Sequence, residues 1–359
     1  MLDTFVAGLI RKKTFPGVSI LVAEGEDVLI ERQFGSKATW PGDEPIAPHT
    51  IFDLASLTKP LVTAFLAAHF IEKGQWRLED SVRRFFPGFP LPLTVEQLLT
   101  HSAGFRPWHP FYLYRPQGDL EQAAAFPDTA AAGQRVVYSD VGYILLRHLL
   151  EKVSGAVFLE LAARVIIEPL RLRDTFMKVP PAAVERCAPT EVGNRHEMGM
   201  CRAEHALAMG RFSWRAGVIR GETHDANSFY AGGSAGNAGL FASARDLFRL
   251  GREFFPASAT LLRGETVSLF WRNRTPWDAH GRTLGFQLNS SPGASGGSAL
   301  LPTAIGHSGF TGTSLWLEAE RERQWIVLSN RVHPRVKRAD FNAVRRRLHQ
   351  QLKLELGLS

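Results

Sequence analysis

A chain of 359 residues can form one elaborated domain or two interleaved ones, and its 45% hydrophobic share, with 32 glycines and 21 prolines, excludes a disordered protein. Its longest nearly apolar stretch, Leu61 to Ile71, is too short for a membrane-spanning helix, which needs about 20 residues, and two cysteines exclude a disulfide framework. The formal charge of +7 gathers at Arg335, Lys337, Arg338, Arg345, Arg346, Arg347 and Lys353. There Phe341, Val344, Leu348 and Leu352 recur at helical spacing, so this reads as a surface helix with a solvated basic face, and neither nucleic acid nor membrane is expected as partner.

In chain order, Asp3 precedes a short apolar run from Phe5 to Ile10, with Arg11, Lys12 and Lys13 behind it. That is the reverse of a secretory signal, and a cytoplasmic location is expected. Val18 to Ala23 and Val28 to Gln33 are β-rich runs split by Glu24, Gly25, Glu26 and Asp27, which reads as a hairpin. From Ser56 to Lys73, Leu57, Leu61, Phe65, Ala68 and Ile71 recur every three or four positions and Gly74 follows, predicting a helix that begins at Ser56. Further helices are predicted at Val95 to Leu99, Val141 to Val153 before Ser154-Gly155, and Val157 to Ile166 before Pro169.

Residues 180 to 236 lack a clean period and read as long connections. Ser314 to Glu318 and Trp325 to Asn330 read as strands around the charged turn Ala319 to Arg323, and a last helix spans about Lys337 to Leu356. The expected fold class is therefore α+β, with an antiparallel sheet built from both chain ends, flanked by helices, and an inserted, mainly helical region. We divide it into a sheet domain of residues 1–60 and 235–359 and a helical insertion of residues 61–234.

Three short motifs carry the chemistry. A serine hydroxyl is a weak nucleophile until a neighbouring base takes its proton and donors receive the oxyanion. Ser56, at the first turn of its helix, would lie among unsatisfied backbone N–H groups, and Lys59 would fall on the same face. Alone this serine-x-x-lysine pattern is weak, since serine before a helix is usually an N-cap. Its company strengthens it: Tyr138-Ser139-Asp140 precedes the Val141 helix, and Gly306-His307-Ser308-Gly309 precedes the Ser314 strand.

Together with Leu98-Leu99-Thr100-His101-Ser102-Ala103-Gly104, Gly142-Tyr143 and Gly239-Leu240-Phe241 leading into Ala244-Arg245-Asp246-Leu247, these motifs resemble the penicillin-recognising serine hydrolases. That family includes class C β-lactamases, D,D-peptidases, D-aminopeptidases and related esterases, and the resemblance runs from about Pro16 to the C-terminal helix. It implies a sheet-plus-helical-region fold with the active site between the two parts. By the resemblance, Ser56 is acylated, Lys59 and Tyr138 shuttle its proton, and the His307-Ser308-Gly309 strand lines the site. The backbone N–H groups of Ser56 and Phe310 then form the oxyanion hole.

Whether Lys59 or Tyr138 is the base stays open at this level, because a neighbouring ammonium favours phenolate. Two residues depart from the family pattern. Asp140 stands where asparagine is frequent, and its carboxylate would raise the pKa of Lys59 and favour Tyr138 as base. His307 stands where lysine is frequent and would be largely neutral near pH 7, weakening its hold on a substrate carboxylate.

Other signals read as structural. Cys187, His196, Cys201 and His205 lack zinc-site spacing, so no metal is expected. Ala231 to Gly239 reads as a tight turn near the site, and His101 and His224-Asp225 as hydrogen-bonding residues. Trp108 and Trp214 default to core or lid packing. The pocket is expected from Phe105 to Gly118 and Gly193 to Tyr230. The expected function is a serine hydrolase acting through an acyl-enzyme on an ester, amide or D-amino-acid peptide, a small molecule or peptide, with no cofactor. The alternative, supported only by Asp140 and His307, is a catalytically weak acyl-binding or sensor protein.

Overall fold

The computed structural model describes residues 1–114, 132–202, 204–210, 212–337 and 339–358. Residues 115–118 of the first expected pocket segment, and Arg338 of the basic group, lie outside these. The N-terminal hairpin forms as Gly17–Glu24 (β1) and Asp27–Ala38 (β2), turning at Gly25, whose φ of +59° suits glycine. Short strands follow at Glu44–Pro45 (β3), Phe52–Asp53 (β4), Thr175–Phe176 (β5), Phe241–Ala242 (β6) and Gln287–Leu288 (β7). The last three are Ile305–Ser308 (β8), Ser314–Glu318 (β9) and Arg323–Ser329 (β10). The final strand opens two residues before its expected start because the connecting turn is tight, with Glu322 in the left-handed region.

Seven strands form one sheet in the order β3-β2-β1-β10-β9-β8-β7, and the β1–β10 pair, antiparallel with Val18 opposite Ser329, joins the two ends of the chain. A second sheet, β4-β6-β5, is small. The period-two alternation of the central strands sorts their side chains between two cores. Leu21, Ala23, Leu315, Leu317, Ile326 and Leu328 face the helical side and join the larger core. Val18, Ile20, Val22, Trp316, Trp325 and Val327 face the other way, where Leu2, Val6 and Leu9 of the first helix and Phe341, Leu348 and Leu352 of the last one cover them. Each such fully buried aliphatic side chain contributes about 1.5–3 kcal/mol relative to exposure.

The helices follow their sequence signals with local adjustments. Val95–Leu99 is closed by a capping box between Thr94 and Gln97. Asp140–Ser154 starts at the Ser139 cap and stops at Gly155 in the left-handed region. The helix expected from Ser56 is composite: a 3-10 turn at Ala55–Leu57, a π turn at Lys59–Ala64 and regular α-helix at Phe65–Glu72. Pro60, which has no N–H to donate, opens the irregular part. Residues 180–236 are mainly irregular but hold short helices at Arg195–Cys201, Ala206–Met209 and Ala226–Tyr230.

The last helix, Phe341–Glu355, corrects one expectation. Its basic face is not wholly solvated: Arg345 is buried and donates to Gly309 O at 2.7 Å and Thr313 O at 2.9 Å. Helical spacing placed the apolar seam correctly but did not show that a cation on its margin reaches carbonyls of the sheet. Among the described residues, no helix is long and apolar enough to cross a membrane.

Candidate active site

The site is built around the turn that follows β4. Asp53 accepts the Ala55 N–H at 2.8 Å through one carboxylate oxygen and the His224 N–H at 2.7 Å through the other. This holds Ala55 at a φ of +49°, a strained conformation for a residue with a Cβ, and presents Ser56 at the bend. Thr58 Oγ1 donates to Ala55 O at 2.6 Å and accepts the Leu240 N–H at 3.0 Å, tying the turn to β6. Ser56 is not the cap of this turn, a position held by Leu54, and its Oγ accepts from Lys59 Nζ.

One turn on, Lys59 is completely buried. Its ammonium donates to Ser56 Oγ at 3.0 Å and to Asn237 O at 3.0 Å, and it forms an ion pair with Asp140 Oδ1 at 2.6 Å. Burial alone would push its pKa down, but Asp140 and Tyr138 outweigh burial and hold it above the usual lysine value. The carboxyl of Asp140 is itself pushed up by burial, against the pull of Lys59. The expected influence of Asp140 on Lys59 is therefore present.

Tyr138 meets this pair from the far side. Its ring centroid is 4.8 Å from Lys59 Nζ, and its hydroxyl faces both Ser56 and Lys59. Burial raises its pKa above the ordinary phenol value, while Lys59 pulls it down. His101 packs at 4.5 Å between ring centroids and accepts the Ser139 N–H at 3.0 Å through Nδ1, fixing the loop that carries Tyr138. The imidazole expected to be a hydrogen-bonding residue thus acts as one. The tight glycine turn is also found beside the site: Gly236 has φ +87°, and a Cβ there would fall 2.7 Å from Tyr143 O.

The opposite wall is β8 and the bend after it. Thr311 Oγ1 donates to Asp53 O at 2.7 Å and Thr313 Oγ1 to Leu54 O at 3.0 Å, so the serine turn and the His307-Ser308-Gly309 segment are clamped together. Gly309 is required by the close approach, because a Cβ would sit 2.5 Å from Leu54 O. Neither Ser56 N–H nor Phe310 N–H donates a hydrogen bond among the described residues. His307 is more strongly neutral than expected: burial, then Lys59 and Arg282, hold its pKa well below the usual range. Its Nδ1 lies 3.0 Å from Ser308 O, a pure acceptor, so the ring proton sits there.

Two cavities meet at Ser56. One, of about 450 Å³, is lined by Arg282, His307, Arg331 and Arg345 beside Ser56 and Tyr138. The second, of about 250 Å³, runs past Trp108, Met200 and Phe310 to Glu197 and Asp225. Trp108 is therefore a cavity wall and not core packing, whereas Trp214 packs edge-to-face against Tyr112 and Phe212. Sequence reasoning missed Asp53, Asn237, Arg282 and Glu197; none belongs to a motif, and only the glycine-rich turn around Asn237 gave a local signal. Among the described residues no cluster of three His, Cys, Asp or Glu side chains could hold a metal.

The arrangement can take a proton from a serine, keep an ammonium beside it and place two unengaged N–H groups nearby. The beta-lactamase family model matches residues 2–349. An Escherichia coli (strain K12) protein described as "Putative D-alanyl-D-alanine carboxypeptidase" is 26% identical over 354 residues, covering 89% of this chain and 79% of that one. The octameric penicillin-binding protein homologue from Pyrococcus abyssi superposes with a TM-score of 0.72 at 23% identity, over 100% of this chain and 77% of that one. The class C beta lactamase from Rhodobacter sphaeroides superposes with a TM-score of 0.72 at 17% identity, over 99% of both chains.

Proposed function

Since this chain belongs to the beta-lactamase family of serine hydrolases, we propose that it hydrolyses an ester, an amide or a D-amino-acid peptide through an acyl-enzyme on Ser56. The observation that carries the reading is the contact of Ser56 Oγ with Lys59 Nζ at 3.0 Å beneath the Tyr138 hydroxyl. Ser56 Oγ attacks the substrate carbonyl while its proton passes to Tyr138. The carbonyl oxygen takes the negative charge between the Ser56 and Phe310 N–H groups, which have no other acceptor among the described residues. As the bond to the leaving alcohol or amine breaks, Tyr138 returns the proton to it. Water then attacks the acyl carbon, giving its proton to Tyr138, and as the bond to Ser56 Oγ breaks Tyr138 passes that proton to Oγ, which restores the serine and the phenolate.

We assign the base to Tyr138 because Asp140 and Tyr138 hold Lys59 above the usual lysine value despite its burial, which keeps it an ammonium. An ammonium offers no lone pair, whereas its charge stabilises a phenolate beside it. Lys59 is then a fixed cation that steers Ser56 and supports Tyr138. His307, neutral, does not supply the charge that anchors an anionic substrate end; Arg282, lining the same cavity, does. The E. coli relative's description, "Putative D-alanyl-D-alanine carboxypeptidase", favours a peptide with such an end.

The test is labelling with a fluorophosphonate and with a penicillin, followed by mass spectrometry and by turnover of nitrocefin, a p-nitrophenyl ester and a D-alanyl-D-alanine peptide. Ser56 is expected to carry the adduct, and Ser56→Ala to lose both labelling and all turnover. An adduct elsewhere, or turnover that survives the substitution, would refute the assignment.

A further inference from the structure

The second cavity at Ser56 is lined by two carboxylates, Glu197 and Asp225, and among the described residues no cation pairs with either. Glu197, on the Arg195–Cys201 helix, is only 5% exposed. Its Oε1 accepts the Ala226 N–H at 2.9 Å, but its Oε2 is buried with no hydrogen-bond partner among the described residues. The Tyr112 hydroxyl, which also lies 3.6 Å from Cys201 Sγ, approaches this carboxyl as a neutral donor and lowers its pKa, but brings it no charge. Asp225, the cap of the Ala226–Tyr230 helix, spends one oxygen on the Ser228 N–H at 2.8 Å, and no described donor meets the other.

The described cations near this pair, Lys59, Arg215 and His224, are committed elsewhere. Lys59 is shared by Asp140, Ser56 and Asn237. Arg215 attracts Glu197 and Asp225 at longer range, yet its N–H groups go to Asn194 Oδ1 at 3.0 Å, Thr223 O at 2.8 Å and His224 O at 2.9 Å. His224 turns its Nε2 to Glu191 at 3.2 Å. A buried carboxylate oxygen left without a donor is costly, and burial accordingly pushes the Glu197 carboxyl up to about 7. A bound cation with N–H donors would relieve that cost.

We propose that the substrate of Ser56 carries a protonated amine, which the second cavity receives between Glu197 and Asp225 while the scissile carbonyl rests at Ser56. This inference rests on the hydrolase reading and narrows it to amino-acyl amides and short peptides with a free amino end. Trp108, Met200, Ala238 and Phe310 give the same cavity apolar surface for the body of one residue, whose ammonium then meets Glu197 and Asp225. On the other side of Ser56 the arginine-lined cavity takes the departing portion. The chemistry is unchanged: the bond from carbonyl carbon to Ser56 Oγ forms, the amide C–N bond breaks, and the departing amine leaves with the serine proton. Water then restores the enzyme.

The decisive experiment compares kcat/KM for D-alanine p-nitroanilide and for its N-acetyl counterpart, and for the L pair, at pH 7. Wild type is expected to prefer the free amine by about tenfold or more, the effect of one charge-assisted hydrogen bond. In Glu197→Gln and in Asp225→Asn that ratio should fall toward one. A variant that merely folds poorly lowers both rates and leaves the ratio in place, so an unchanged ratio in both variants overturns the assignment, as does a wild type indifferent to acetylation. Turnover of p-nitrophenyl acetate separates the two readings. If Ser56 turns over the ester without favouring free amines, only the amine site falls; if neither ester nor anilide is cleaved, the hydrolase reading falls with it.

Discussion

Tyr138 and Lys59 both hold their protons in the resting site, the phenol because it is buried and the ammonium because Asp140 opposes burial. The reactive form is then a minor phenolate, and its share rises with pH until the raised pKa of Tyr138 is reached. kcat/KM is therefore expected to climb about tenfold per pH unit from neutrality upward, with an optimum on the alkaline side. Tyr138→Phe should lower kcat/KM by about 10²- to 10⁴-fold and flatten that climb. A wild-type profile level between pH 6 and 9, measured on an ester stable over that range, would show that the base is another group. The roles open to Lys59 could not be narrowed from spacing alone, because its partners include Asn237, far away in sequence, as well as Asp140.

At the scale of elements, the site is held by a few contacts between segments that share no local pattern. Thr311 and Thr313 bond the carbonyls of Asp53 and Leu54, and Gly309 lets the two backbones close up. In Gly309→Ala the new Cβ would meet Leu54 O at 2.5 Å and Thr313 Oγ1 at 2.1 Å, and a backbone carbonyl cannot swing aside as a flexible side chain can. The wall should retreat from Ser56, lowering kcat by about 10²-fold and stability by about 1–3 kcal/mol. Kinetics and urea unfolding check both figures, and a variant with wild-type kcat would show the clamp to be dispensable.

The elements themselves were largely legible: the hairpin around Gly25, the Ser139-capped helix ending at Gly155 and the two late strands all carry short-range signals. So were the three motifs that converge on Ser56. What stayed hidden depends on distant partners. The split character of the serine helix, the acidic pair of Glu197 and Asp225 in an aperiodic segment, and the buried Arg345 on an otherwise basic face are set by tertiary contact. Local spacing does not encode them.

Over the whole molecule, the sheet is a shared wall between two cores, so neither side can come apart alone. Leu348 lies completely buried among Trp325, Val327 and the first helix, on the side away from Ser56. Leu348→Asp introduces an unpaired charge there, and the expected result is joint loss of soluble protein and activity, because β8 and β9, which carry the site wall, belong to the same sheet. A soluble variant with wild-type turnover would mean that the outer core is uncoupled from the site.

The pairing of Val18 with Ser329 also constrains biosynthesis. A ribosome adding about 5–20 residues per second makes the hairpin early but supplies its third strand only as translation nears its end. For tens of seconds the inner edge of β1 is an unpaired row of amides and carbonyls flanked by valine, isoleucine and leucine, open to any other extended chain. Crowded polysomes at high expression are thus where this protein is most exposed to aggregation, and slowing initiation or supplying a holdase chaperone should raise its yield more than stabilising the finished fold.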